Sequence, residues 1–408
     1  MRKRFIIISI FLNLLYTITS YPPSTGGAQT LAHNLAQQMQ MAQNHHMQVV
    51  SHWDESRTDW LTGTTLRAPS QPHDYVVDGI AVHRMGFGVL ERLQMGVWYL
   101  PYYPLMPLAL PRLANVIERH IAPFAHTAHL IHNTRIGREG ISYASFQLAR
   151  KHDIPFIFTP VHHPRWVGWR YKAFIWLYQH ADALITLTTT EKKTLIGLGA
   201  REDRVFVSGM GPTLAPTADP AAFRTHYGVK GPMVLFLGQH YDYKGYRQVL
   251  SATKNVWQRV PDAEFVFIGP QHNDSAKVLA AHADARLHAL GKVDLQTKTS
   301  ALAACDVLCV PSTQESFGGI YTEAWHFAKP VIGCNIPAVA EVIADGEDGC
   351  LVQQHPDEIA DRLCHLLTNP GLAQRMGAQG YTKTQAQFTW QRIAERTQLA
   401  YNHTLGLA

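Results

Sequence analysis

VLCVPSTQESFGGIYTEAWHFAKPVIG, residues 307–333, passes from an apolar strand ending near Val310, through a loop with adjacent glycines, into a helix predicted over residues 320–328. In open parallel sheets, ligands bind just beyond the carboxyl ends of the strands, and a helix N-terminus presents unpaired N–H groups to an anion. Gly318 and Gly319 let a phosphate approach that backbone closely. Glu315 lies in the loop and Glu323 in the first turns of the helix, so two carboxylates flank the phosphate position. A carboxylate repels phosphate but accepts hydrogen bonds from vicinal hydroxyls, so the spacing permits Glu323 on a ribose and Glu315 on a sugar. An N-terminal capping role for a carboxylate is the plainer alternative.

Outward from this stretch, short apolar runs alternate with amphipathic segments, the pattern of β-α-β units around buried parallel sheets. In the first half the runs fall near residues 14–19, 48–51, 129–131, 155–159, 183–186 and 204–208. In the second they fall near 233–237, 264–268, 286–290, 307–310 and 330–333. Two Rossmann-like α/β domains are expected, since 408 residues exceed the roughly 250–300 that one core serves. The Pro-rich stretch GPTLAPTADPAAF, 211–223, interrupts both patterns and reads as the hinge, giving domains 1–212 and 213–385. A final helix near 386–408 is a candidate to pack back onto the first domain.

Apolar residues make up 46% and charged residues 16%, a globular composition. The net charge of +5 comes from scattered lysines and arginines, which argues against a nucleic-acid partner. Five cysteines, none in a C-x-x-C pair, point to a reducing, cytoplasmic location. His126, His129 and His132 suggest a metal, but alternation along an extended segment turns His129 away from the other two, so no metal site is expected. The start, MRKRFIIISIFLNLLYTITS, has the basic-then-apolar form of a leader, yet its apolar stretch is shorter than the about 20 residues a bilayer span needs. A first parallel strand at 14–19 with an apolar extension is the preferred reading.

Two segments stand out. VWYLPYYPLMPLALP, 97–111, carries four prolines and suits neither a long helix nor an interior strand. RWVGWRYKAFIWLY, 165–178, mixes tryptophan and tyrosine with arginine and lysine. Both read as a loop-rich core edge or as a surface meeting lipid or an apolar acceptor.

With Glu315 and Glu323 separated by seven residues in their strand-loop-helix context, the chain resembles the retaining glycosyltransferases of family 4 (glycosyl transferases group 1), which have the GT-B fold. The resemblance implies two Rossmann-like domains with parallel sheets facing across a cleft, and a nucleoside diphosphate sugar as donor substrate with no cofactor. It covers nearly the whole chain. YPPSTGGAQT matches the family's first loop and places Gly26 and Gly27 against the donor phosphates; Phe317, Gly318 and Gly319 accompany the two glutamates. HLIHNTRIGREG puts His132 where a family histidine ending a strand reaches the reacting centre, with Arg135 beside it. FTPVHHP places His162 and His163 on the acceptor side. NIPAVAEVIADGEDGCLV, 335–352, resembles a further family element.

FLGQHYDYKG resembles the family segment that supplies an arginine and a lysine to the diphosphate. Lys244 fits the lysine, but Gln239 stands at the arginine position, and an amide donates a hydrogen bond without adding charge. The implied reaction is metal-independent hexosyl transfer with retention to an unidentified hydroxyl acceptor, glycan or lipid-linked, with Lys244 and the Gly318–Gly319 amides stabilising the leaving diphosphate. The aromatic-basic segment 165–178 adds peripheral contact with the inner face of the membrane. A sugar-nucleotide epimerase, a phosphorylase or a catalytically silent binding protein on the same fold is the alternative.

Overall fold

Strands β1 (Asn13–Ser20), β2 (His46–Trp53), β3 (His73–Val77), β4 (Ile80–Arg84), β5 (Leu130–Thr134), β6 (Phe156–Thr159), β7 (Ala183–Thr186) and β8 (Val205–Val207) make the first of two sheets, in the order β3-β4-β2-β1-β5-β6-β7-β8. The computed structural model describes residues 11–24, 26–53, 60–163, 165–272 and 274–407. The basic start at 1–10, and with it the choice between leader and strand extension there, lies outside the described residues.

All neighbours in this sheet pair in parallel except the β3–β4 hairpin. β5, β6 and β7 are buried along their whole length, as strands covered on both faces must be. On one face, helices Gly27–Met41 and Trp390–Thr404 close a core in which Leu14, Tyr16, Leu130, Ile393 and Tyr401 are packed. On the other, helices Met106–Ala125, Gly140–Lys151 and Lys172–His180 pack on Ile131, Phe156 and Phe158. From β1 the chain runs outward through β2, then returns to β5 on the other side, so the carboxyl ends of β1 and β5 are a switch point.

Two elements differ from the sequence expectation. The last six residues of the Pro-rich stretch 97–111 enter the 20-residue helix Met106–Ala125. Pro107 occupies its first turn, where a missing N–H costs nothing, and Pro111 removes one ladder bond. The buried stripe of Ala109, Leu110, Leu113, Ala114, Ile117 and Ile121 offsets that loss. The β3–β4 hairpin was not expected either. It turns at Asp78 and Gly79, both at positive φ (48° and 81°), the geometry that Asp-Gly favours.

The second sheet contains β9 (Met233–Leu237), β10 (Glu264–Ile268), β11 (Leu287–Gly291), β12 (Val307–Val310), β13 (Val331–Cys334) and β14 (Gly349–Val352), all parallel, in the order β11-β10-β9-β12-β13-β14. Its switch point lies between β9 and β12. Residues 211–219 run against helix Leu295–Ala304, where Ala215 N donates to Thr299 Oγ1 at 2.9 Å and Asp219 N to Ser300 Oγ at 3.0 Å. The chain divides into two compact units, Met1–Gly209 with Trp390–Ala408, and Met210–Thr389. Both are parallel-sheet α/β units. Among the described residues, no helix is long and apolar enough to cross a membrane.

Candidate functional site

The carboxyl ends of β9 and β12 lead into two loops that are stitched together. Thr313 N donates to the Tyr243 carbonyl at 2.8 Å, and Gln354 Nε2 donates to both the Tyr243 and Pro311 carbonyls, at 3.0 and 2.7 Å. Gly245, at φ 83°, lies so close to Pro311 that a Cβ there would come within 2.8 Å of its carbonyl oxygen. That close approach delivers Lys244, from the short helical turn Asp242–Lys244, onto the loop after β12. Lys244 Nζ donates directly to Glu315 Oε1. Both side chains are mostly buried, at 20% and 12% exposure, so the pair is shielded from bulk water more than a surface ion pair.

A second lysine-carboxylate pair stands nearby in the same unit. Glu323, in helix Gly319–His326, accepts at Oε1 from Lys298 Nζ at 2.8 Å and from Thr213 N at 3.3 Å. Its Oε2 takes no hydrogen bond among the described residues. Lys298 comes from helix Leu295–Ala304, and no spacing within the 307–333 stretch points to it.

Between the two carboxylates, Gly318 adopts φ 85° as the residue preceding the helix. A Cβ there would fall 2.4 Å from the Tyr321 ring, so only glycine fits. The Tyr321 hydroxyl donates to the Val310 carbonyl at 2.8 Å and pins the helix to the end of β12. The first turn carries no acidic residue, and although the Tyr321 amide donates to the Gly318 carbonyl at 2.9 Å, the Gly319 and Ile320 amides ahead of it are left for an anion. Phe317, expected as a donor contact, is instead core: it is 3% exposed and its ring meets Phe388 edge-on at 5.2 Å. Gln239 lies directly beyond Gly238 at the end of β9, its Oε1 held by His272 Nε2 at 3.1 Å. His240, behind it, is buried against Tyr246 and Phe236, and burial lowers its pKa to about 4, so it is neutral and supplies no charge to an anion.

In the first unit, the switch point presents Gly26 and Gly27 at the start of helix Gly27–Met41, and nothing lies within 4 Å of where a Gly27 Cβ would stand. Thr19 Oγ1 donates to the Ile136 carbonyl at 2.6 Å and joins the ends of β1 and β5. The expectation for His132 needs correction. β5 runs on to Thr134, so His132 is in mid-strand rather than at its end. Alternation turns its ring onto the face of Leu130, where it is 1% exposed. Nδ1 is bonded to the Tyr401 hydroxyl at 2.7 Å and Nε2 to Thr159 Oγ1 at 2.7 Å. Both nitrogens are thus committed inside the unit, and burial lowers the pKa to about 3.

Arg135, His162 and His163 do come together, beneath the 165–178 segment. The Arg135 guanidinium lies between the rings of Trp166, at 3.9 Å, and Phe174, at 3.6 Å, and its Nη1 donates to the Tyr178 hydroxyl at 3.0 Å. That hydroxyl also meets His162 Nδ1 at 3.2 Å, and His163 stands edge-on to Trp166 at 4.4 Å. Glu191 accepts from the amides of His162 and Leu187, yet burial pushes its carboxyl up to about 7. Arg135 and His162 are buried, at 4% and 3% exposure, so they shape the loop from below. Among the described residues, no three His, Cys, Asp or Glu side chains are placed to share a metal ion.

Comparison with known proteins agrees with this layout. Residues 26–211 match the model of the glycosyl transferase 4-like domain, and residues 222–383 that of the glycosyl transferases group 1. A phosphatidyl-myo-inositol mannosyltransferase of Mycobacterium tuberculosis H37Rv is 33% identical over 187 residues, 44% of this chain and 49% of the relative. A D-inositol 3-phosphate glycosyltransferase of Kribbella flavida is 29% identical over 240 residues, 54% of this chain and 56% of the relative. The matches thus span about half the length of these curated relatives. Among solved structures, Anabaena Alr3699/HepE in complex with UDP-glucose superposes with a TM-score of 0.72 at 17% identity, covering 96% of this chain and 100% of that one. WaaG, a glycosyltransferase of lipopolysaccharide biosynthesis, gives 0.65 at 14% identity, covering 95% and 99%. With both family modules in sequence order and the same architecture throughout, the chain belongs to the group 1 glycosyl transferases of family 4 and has the GT-B fold.

Proposed function

We propose that the chain moves a hexosyl group from a nucleoside diphosphate sugar to a hydroxyl acceptor, with retention and without a metal. One observation carries the reading: at the switch point of the second sheet, two partly buried lysine-carboxylate pairs flank the open amides after Gly318. Lysine and helix amides suit a diphosphate, and carboxylates suit the vicinal hydroxyls on either side of it. In this reading Glu323 Oε2 takes the ribose and Glu315 the transferred sugar, with Gln239 and Lys244 on the phosphates. Lys244 and the amides meet the negative charge that grows on the leaving diphosphate. A departing phosphate oxygen takes the acceptor's proton as its hydroxyl attacks from the same face, so no carboxylate nucleophile is needed. The relatives named for phosphatidyl-myo-inositol and for nucleotide-sugar complexes support this donor and acceptor chemistry.

The acceptor is lipid-linked in this reading, and the first unit meets the membrane peripherally. Helix Val89–Gly96 and the turns after it expose Leu90 (75%), Val97 (70%) and Leu100 (87%). Trp169, half exposed, meets Tyr103 edge-on at 5.8 Å, and Arg138 and Arg170 lie over that tyrosine at 5.1 and 5.2 Å. Exposed apolar groups rimmed by guanidinium suit an anionic lipid surface. Trp166, covering Arg135, belongs to the loop's anchor and not to this surface. Release of nucleoside diphosphate from UDP- and GDP-hexoses, with and without phosphoinositide vesicles, tests the reading; release that ignores the vesicles removes the lipid acceptor.

A further inference from the structure

Gln239 and His272 belong to adjacent loops, the first directly after β9 and the second after β10. Backbone bonds lock these loops together: Gly238 N donates to the Ile268 carbonyl and His240 N to the Pro270 carbonyl, both at 2.9 Å. Above them the His272 ring lies flat on Tyr241, with centroids 4.3 Å apart and planes 1° from parallel. Tyr243 continues the stack at 5.5 Å, and the Ser275 hydroxyl accepts from the His272 amide at 3.0 Å. The ring is therefore held in one plane, with Nε2 aimed at Gln239 Oε1 from 3.1 Å.

A primary amide has an accepting end and a donating end of nearly equal size. Turned one way, Gln239 offers N–H groups to an oxyanion; turned the other, it offers a carbonyl that repels it. Nε2–H of His272 selects the first orientation, because it occupies the carbonyl and leaves the NH2 end facing away. We propose that His272 is a positioning residue for donor binding, fixing the Gln239 amide so that its N–H groups point at the diphosphate. This rests on the reading of the β9–β12 switch point as a nucleoside diphosphate site. In this pair the orientation of the Gln239 amide takes the place of an arginine's charge.

Calorimetric titration of the full chain with UDP and with GDP tests this, using wild type, His272→Ala, His272→Gln, Gln239→Arg and the Gln239→Arg/His272→Ala double variant, each checked for native circular dichroism. His272→Ala should weaken the better nucleotide by about tenfold, the loss of one well-aligned hydrogen bond to a charged group. His272→Gln, which keeps an Nε2–H donor at similar reach, should recover to within about threefold of wild type. In the arginine background His272→Ala should change the Kd less than about twofold, because a guanidinium donates on every edge. Wild-type affinity in His272→Ala, no recovery in His272→Gln, or an undiminished loss in the arginine background overturns the proposal and leaves the donor site standing. Binding of neither nucleotide by wild type overturns the donor reading and this inference with it.

Discussion

The hydroxyl of Tyr401 stands 2.7 Å from Nδ1 of His132, across 269 residues of sequence. The same hydroxyl meets that of Tyr16 at 2.6 Å, so one buried chain of bonds ties the C-terminal helix to β5 and β1. All three side chains are 2% exposed or less. The C-terminal helix is thus joined to the first sheet by polar groups that have no water to fall back on.

Breaking that chain should cost stability more than turnover. Tyr401→Phe strands His132 Nδ1 and the Tyr16 hydroxyl, a loss of about 1–3 kcal/mol for a buried unsatisfied group. Urea denaturation measures it. Unchanged stability together with a collapse in kcat would instead return His132 to the reacting centre.

Acid should weaken the fold through the same residue. Burial holds His132 at about 3, below the 6.5 of an exposed imidazole. With the folded pKa depressed, the unfolded chain binds the proton first, so this contribution is full above pH 6.5 and is lost as pH falls toward 3. His132→Gln should flatten the stability profile across that window. His52, His162 and His240, depressed to about 3, 4 and 4, should leave part of the slope in place. An identical profile in the variant would count against a neutral, buried His132.

The two carboxylates should separate by ligand. Glu323→Ala should weaken both a nucleoside diphosphate and its sugar conjugate by about 1.5–3 kcal/mol, the range for hydrogen bonds to a charged group. Glu315→Ala should weaken only the sugar conjugate. Calorimetry with UDP, GDP and their glucose or mannose conjugates distinguishes them; equal losses for both ligands in both variants would dissolve the assignment.

Vesicle sedimentation should follow the exposed leucines. Leu90→Ser with Leu93→Ser and Leu100→Ser should abolish binding to anionic vesicles. Arg170→Ala with Lys172→Ala should remove about 2 kcal/mol, near 1 per basic residue, and reduce the salt dependence. Wild type that stays in the supernatant at low salt would leave the first unit with no membrane role.

Sequence carried the parallel-sheet architecture because β9, β12 and the first three residues of β6 are unbroken apolar runs of the kind a doubly covered strand requires. It carried Glu315, Glu323 and the glycines because strand, loop and helix occupy one short stretch. Lys298 was invisible: it arrives from another helix, and only the tertiary fold brings it to Glu323. His132 lies in mid-strand because β5 runs on to Thr134, three residues past the apolar run at 129–131, and alternation turns its ring to the core. The neighbours of Phe317 in sequence suggest a ligand contact, but its ring packs edge-on against Phe388, a partner 71 positions away that no local spacing reveals. The Leu-rich face of helix Val89–Gly96 escaped notice because eight residues give too short a period to read.

In the proposed reaction, Lys244 and the amides after Gly318 stabilise a diphosphate leaving group. The direct test is the rate of nucleoside diphosphate release from a UDP- or GDP-hexose, with lipid acceptor and excess chelator, for wild type and Lys244→Ala. Wild type should keep full turnover in chelator, and kcat in Lys244→Ala should fall by about 100-fold or more, the scale for losing one transition-state charge contact. Turnover that vanishes in chelator and returns with a divalent ion, or a Lys244→Ala variant as fast as wild type, would contradict it.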